Sequence, residues 1–491
     1  MQLAFPDLEG APPASVLSTP EAYRGLYAFH KYWGKKPAEP LRYLIEHISP
    51  KGGLVVDPFL GSGISVLEAI QLRRRAVGID LNPAAVRISR LLAAPPPAKV
   101  LRAALQAVAA RTRDQISDSY RASDERIATH FVWDGPTLTK VWVEPEEGRT
   151  RVELPPSEDD LALLRSYASY EPKLLRNPRF FKNSRINSYP ELSLQDLFTG
   201  RALRNIELLL AAISELPPDG REAMLLSLTA AIGQMSRMVF AITNRGKASG
   251  RQSGRMEVGS WVIGYWRPQQ HFEVNVWNCF KRRADKLIKA VSRSAIAPTR
   301  AVQGSIAHVC EASADYAIVQ GNSLDLFPTC PDGSIDLVVT DPPHSDRIPY
   351  LELSELWNVV LGETPAFEPE IVVSNARERC KTETNYNEAM LSFLRLCAPK
   401  LKEDGTLVLF FNAREEASWT FLDRFSSSAG QAGMAYTGCF PLIYSASSVV
   451  QDNRDGALRT DYGLVFSRSG SAGRSLLNIP GWISDLPKPQ T

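Results

Sequence analysis

Two short stretches of this 491-residue chain carry side chains in an order that could do chemistry. The first is Val55-Val56-Asp57-Pro58-Phe59-Leu60-Gly61-Ser62-Gly63, followed by a second acid, Asp80, at the end of Ala76-Val77-Gly78-Ile79. An apolar run that ends in an acid and turns through two glycines brings backbone N–H groups close to a ligand at the carboxyl end of a sheet. A dinucleotide fingerprint wants a third glycine where Val66 stands, and a phosphate-binding loop wants Gly-Lys-Ser/Thr, which is missing. Asp57 at the first strand tip suits a cationic amine, and Asp80 can accept both hydroxyls of a ribose. Together they describe an adenosine that carries a positively charged amino acid. The alternative for this segment is a plain glycine turn between strand and helix.

The second stretch is Asp341-Pro342-Pro343-His344, directly after the apolar run Ile335-Asp336-Leu337-Val338-Val339-Thr340. An enzyme that alkylates an exocyclic amine must orient a nitrogen whose lone pair is delocalised into a ring. A carboxylate and a backbone carbonyl can hold its two hydrogens, and proline fixes φ so that the carbonyl points in a set direction. A planar side chain next in line can stack on a base turned out of its helix. Alone, Asp-Pro-Pro is more often a strand-to-loop turn. Its place after a strand predicted to lie beside the first favours function.

The elements that must position these residues are legible as alternation. Residues 53–57 read as a strand leading to a helix near 64–73, and 76–80 as a strand leading to a helix near 83–93. The pattern stops at Ala94-Pro95-Pro96-Pro97 and resumes with strands at 316–319 and 335–340, helices near 351–361 and 387–401, and a strand at 405–411. Two more strand candidates lie around 438–444 and 462–466. Short, fully apolar strands alternating with helices predict an α/β, doubly wound, Rossmann-like parallel sheet. We expect residues 1–94 to form one half of that domain, 316–468 the other, 95–315 a large insertion and 469–491 a tail. The insertion carries a predicted strand pair near 131–143 and helices near 201–215 and 221–242. It also has three stretches where basic residues dominate. Lys173 to Arg185 holds five basic side chains and no acid, Arg237 to Arg255 holds five more, and Lys281-Arg282-Arg283 lies on a predicted helix.

Composition sets the outer bounds. Hydrophobic residues make up 44% and charged residues 22%, with a net charge of only +2, as in an ordinary globular protein. A nucleic-acid partner would have to be held by local basic patches and not by a global field. The amino-terminal residues carry no basic region leading to a long apolar one, and no apolar run of about 18 residues occurs, so neither export nor membrane insertion is expected. The six cysteines are scattered and form no Cys-x-x-Cys pair, which argues against a disulfide framework or a zinc cluster and fits a reducing cytoplasm.

Asp57-Pro58-Phe59-Leu60-Gly61-Ser62-Gly63, Gly78-Ile79-Asp80-Leu81-Asn82-Pro83 and Asp341-Pro342-Pro343 together resemble the amino-group DNA methyltransferases, which move a methyl from S-adenosylmethionine to adenine N6 or cytosine N4. His30-Lys31-Tyr32-Trp33-Gly34-Lys35-Lys36-Pro37 is similar to that family's motif before the first strand. The resemblance covers about 1–94 and 316–468. It implies S-adenosylmethionine as cofactor, with Trp33, Lys35, Asp57, Phe59, Gly61, Gly63, Asp80 and Asn82 around it. Asn322 would stand where an acid often accepts the cofactor's adenine amine. Asp341, Pro342, Pro343 and His344 would form the catalytic loop, although His344 replaces the family's usual larger aromatic. The resemblance further implies double-stranded DNA as partner, held by Arg179, Lys182, Arg185, Arg251 and Arg255 of a target-recognition insertion, and a bacterial or archaeal cytoplasm. A cognate restriction or defence protein is a candidate further partner. Adenine N6 is the expected target. Cytosine N4, an RNA amine, and a catalytically silent DNA-binding subunit are the alternatives, and no metal is expected.

Overall fold

The computed structural model describes residues 23–144, 152–242, 256–261, 263–293, 301–343, 348–411, 425, 427–442, 461–470 and 482–484. At its centre is a seven-stranded sheet. From one edge the strands run Met434–Leu442, Asp461–Arg468, Leu401–Phe411, Ile335–Thr340, Leu54–Asp57, Arg75–Asp80 and Tyr316–Gln320. Neighbours are parallel except around Asp461–Arg468, which lies antiparallel between its two partners. The chain moves outward from Leu54–Asp57 in one direction, then starts again beside it at Ile335–Thr340 and moves the other way. That reversal opens a crevice beyond the carboxyl ends of the two middle strands, where open α/β sheets hold ligands.

Alternation along the buried strands divides the core by face. Val55, Leu337, Val339 and Val408 pack with apolar residues of the helices Ala38–Ile48, Ile64–Gln71 and Pro83–Ala93. Leu54, Val56, Val338, Leu407 and Leu409 pack on the other side with Ile306–Cys310 and Glu383–Lys400. The turn into the first helix needs both of its glycines. Gly61 has φ +54° and Gly63 has φ +79°, and a Cβ on Gly63 would lie 2.5 Å from the Ser89 hydroxyl oxygen. Gly63 is therefore the point where the helix Pro83–Ala93 closes against the turn.

Residues 95–315 contain a bundle of four helices, Ala98–Ser119, Gly200–Ser214, Pro218–Ile232 and Val276–Arg293, which pack on one another. Beside it is a four-stranded antiparallel sheet, in the order Val152–Leu154, Thr137–Val143, Ala128–Asp134 and Gln270–Val274. The helix Ala98–Ser119 was not expected from the sequence, and the helix expected to reach residue 242 stops at Ile232. There the chain tightens through Gly233, whose missing Cβ leaves room for the Trp261 ring. The buried residues of the bundle and those of one sheet face form a single apolar cluster, so this region shares a core with the sheet.

Candidate active site

The crevice at the strand reversal is lined by Tyr32–Lys36, Asp57–Ser62, Asp80–Asn82, Asn322, Ser323, Thr340, Asp341, Pro343, Tyr350 and Glu370. Its open space, mouth included, is about 920 Å³. Asp57 ends the first strand and is 5% exposed. One of its oxygens accepts from the Phe59 N–H at 3.1 Å and the Thr340 hydroxyl at 2.7 Å, and the other accepts from the Ser65 hydroxyl. Asp80 ends the second strand and accepts from the Gly61 N–H at 2.6 Å and the Asn82 N–H at 2.8 Å. These bonds stabilise the charged forms, but burial outweighs them. It pushes the Asp57 carboxyl up to about 6 and the Asp80 carboxyl up to about 7.

Two buried carboxylates short of positive charge are a good seat for a ligand that brings an ammonium and hydroxyl donors. Residues Asp57, Asp80 and the turn at Gly61 thus fit S-adenosylmethionine by the chemistry of their donors and acceptors. Phe59 lines the same wall, with its ring edge-on to Phe393 at 5.4 Å.

Other residues singled out from the sequence are placed differently. Gly63 does not line the crevice and acts through packing. Asn82 lines it, but its amide caps the helix Pro83–Ala93 through the Ala84 N–H and donates to the Ser354 hydroxyl at 2.8 Å. The Asn322 amide oxygen likewise accepts from the Leu324 N–H at 3.1 Å, and its nitrogen donates to Asp325. Trp33 stacks on Trp357 at 4.4 Å, and its indole N–H has no acceptor among the described residues. The Lys35 ammonium turns back onto the carbonyls of Tyr27 and His30, and burial lowers it to about 8. Its neighbour Lys36 turns the opposite way. The Lys36 ammonium lies 2.8 Å from Asp341 and 3.3 Å from Asp461. Sequence reasoning did not single out Lys36, and nothing in the pair Lys35-Lys36 distinguishes the two.

The catalytic-loop candidates begin where the fourth strand ends. Asp341 and Pro343 line the crevice, and the Pro343 carbonyl accepts from the Tyr386 hydroxyl at 2.7 Å. His344, Arg251 and Arg255 lie outside the described residues. Arg179, Lys182 and Arg185 are exposed. Much of the basic run around them is nevertheless a fastening. Arg176 forms a bidentate pair with Glu355 at 2.7 and 3.2 Å, the Arg179 N–H donates to Glu355, and Asn183 donates to Glu352 at 2.8 Å. Glu352 also accepts from Arg379, which reaches Glu370 in the crevice wall at 2.6 Å. The strap is thereby tied to the helices Tyr350–Leu353 and Glu355–Leu361, which follow the segment Asp341-Pro342-Pro343.

Comparison with known proteins finds matches to part of the chain. Residues 14–91 match the family model for N6- and N4-type DNA methylases, described as DNA methylase. Over this segment the chain is similar to the amino-group DNA methylases. The chain is also similar to curated relatives. It is 28% identical over 68 residues to the Type II methyltransferase M.MjaII of Methanocaldococcus jannaschii, covering 14% of this chain and 13% of that one. It is 38% identical over 64 residues to the Type II methyltransferase M2.DpnII of Streptococcus pneumoniae, covering 12% of this chain and 24% of that one. The matched stretches therefore span less than a quarter of those relatives. Among the described residues, no helix is long and apolar enough to cross a membrane.

Proposed function

We propose that the protein is a DNA methyltransferase that moves a methyl group from S-adenosylmethionine to the exocyclic amine of a flipped base, with adenine N6 as the target. The observation that carries this reading is the meeting of Asp57, Asp80, Asp341 and Pro343 in one crevice, although 261 sequence positions separate Asp80 from Asp341. When bound, S-adenosylmethionine supplies the electrophilic methyl. Asp57 would hold the ammonium of the methionine part, Asp80 the ribose hydroxyls, and the Gly61 turn would let the backbone approach. Asp341 would accept one N–H of the target amine and the Pro342 carbonyl the other, turning the nitrogen lone pair toward the methyl. Catalysis would come mainly from alignment and from hydrogen bonds that strengthen as the nitrogen gains charge. His344 would stack on the base.

Residues 95–315 would provide target recognition, with Arg179, Lys182 and Arg185 on phosphates. Asp341 supports adenine over cytosine, since the resemblance implies Ser at that position in many cytosine N4 enzymes. The test is long-read sequencing of DNA from a host expressing the protein, scored for modified adenine and cytosine. Methyladenine in a fixed sequence context is expected. Methylcytosine alone would reassign the target, and no modification in any host would favour a silent fold.

A further inference from the structure

One charged cluster at the mouth of the crevice joins Asp341 to two residues that have no part in that reaction scheme. Lys36, Asp341 and Asp461 come from the segment before the first strand, the loop after the fourth and the start of the last. Their side chains are 12%, 16% and 13% exposed. Asp461 reaches this edge because its strand runs antiparallel, so that its first residue lies where its neighbours have their last. The ammonium is held from behind. Pro37 keeps Lys36 extended. Gly34, at φ +67°, sits so near the Tyr350 hydroxyl that a Cβ would come within 2.7 Å of it.

We propose that Lys36 is a positioning residue for Asp341: its ammonium, shared with Asp461, keeps the Asp341 carboxylate charged and turned so that it accepts the target amine. This rests on the methyltransferase reading of the crevice. The neighbourhood makes such a cation necessary. Asp57 on the first strand interacts with Asp341 and is itself raised in part by it. Asp461 approaches from the last strand, and Glu39 and Tyr23 belong to the same electrostatic group as Lys36 and Asp341. Like charges crowded in a half-buried site favour protonation, and a protonated carboxyl offers the amine a donor where an acceptor is needed. In the transfer the nitrogen lone pair would form the bond to the methyl carbon, the carbon–sulfur bond would break with its pair left on sulfur, and the nitrogen would then give up a proton to solvent, directly or through Asp341. An ionised Asp341 favours every stage of that sequence.

The experiment uses the full chain with S-adenosylmethionine and DNA. In Lys36→Met, cofactor affinity should be retained while kcat falls about 10- to 100-fold, the range of one charge-assisted hydrogen bond. The acid limb of its pH profile should move up by about one unit or more. Lys36→Arg should recover most of the rate. Asp461→Asn removes the second carboxylate at 3.3 Å from the ammonium and should move the acid limb downward. A purely structural bridge would instead weaken folding in both variants without moving the limb in opposite directions, and that result overturns the proposal. The ¹³C carboxyl resonance of Asp341, identified by its loss in Asp341→Asn, gives a readout without turnover. It should titrate higher in Lys36→Met than in the wild type. If the wild type methylates no DNA, the functional reading fails while this titration still decides the bridge, and an unshifted resonance rejects it.

Discussion

Asp57 and Asp80 carry charge at the cost of burial, and this has a measurable sign. Both titrate above the ordinary 3.8, at about 6 and about 7. Their contribution to stability is therefore greatest below pH 4 and is lost as pH rises toward 7. A ligand ammonium and ribose hydroxyls favour the ionised forms, so cofactor affinity should strengthen from pH 5.5 to about 7.5 and then level off. Calorimetry at pH 6 in buffers of different ionisation enthalpy should show protons released on binding, and Asp80→Asn should remove the upper part of the effect. No proton release would mean that the crevice does not hold the cofactor in this way. Asp341→Ala should leave cofactor binding intact and cost the transfer step about 3 kcal/mol or more, by analogy with loss of an oxyanion-hole donor. A variant with near-normal turnover would remove Asp341 from the reaction. At this scale the sequence was informative where a residue type is tied to a motif, as at Asp57, Asp80 and Asp341. It could not separate Lys35 from Lys36, because only the direction of each side chain distinguishes them.

Among the elements, the sheet strands were the most legible, since four to six consecutive apolar residues between turns leave few alternatives. The helix Ala98–Ser119 was hidden behind Pro95-Pro96-Pro97 and by a mixed surface on which only six positions are buried. The strap at Lys173–Arg185 was misleading for another reason. A run of basic residues reads as a solvated or phosphate-binding patch, and its acidic partners Glu352 and Glu355 lie about 175 positions away in sequence, buried where charged residues are rarely found. Arg379 shows the energetic weight of such pairs. It is 2% exposed and serves both Glu352 and Glu370. Arg379→Met would leave two buried carboxylates without their cation and should destabilise the fold by about 3–5 kcal/mol. Urea unfolding measures this, and adding Glu370→Gln should restore part of the loss. A change below about 1 kcal/mol would show that these carboxylates take up protons or water with little strain.

For the molecule as a whole, the main consequence is that residues 95–315 are not a detachable module. Trp33 and Trp357 of the sheet domain pack with Trp261, and His30 lies 3.0 Å from Thr229. Replacing 95–315 by a short linker should abolish cooperative unfolding, as followed by near-ultraviolet circular dichroism; a well-folded remnant would contradict the shared core. DNA binding should weaken steeply with salt, and charge reversal at Arg179 and Lys182 together should flatten that dependence by about 0.9 for each phosphate no longer neutralised. An unchanged slope would confine both residues to the strap. The pairing of Val55 with Leu337 and of Val56 with Val338 has a further consequence, for synthesis. At about 5–20 residues per second, a ribosome needs roughly 15 to 60 s to travel from the first of these strands to the second. During that interval the strand carrying Asp57 has one edge of backbone N–H and C=O groups with no strand to pair them, between two apolar faces. The nascent chain must therefore be shielded by its own emerging helices or by a chaperone, and slowing translation within 95–315 should lower the soluble yield more than slowing it after residue 340.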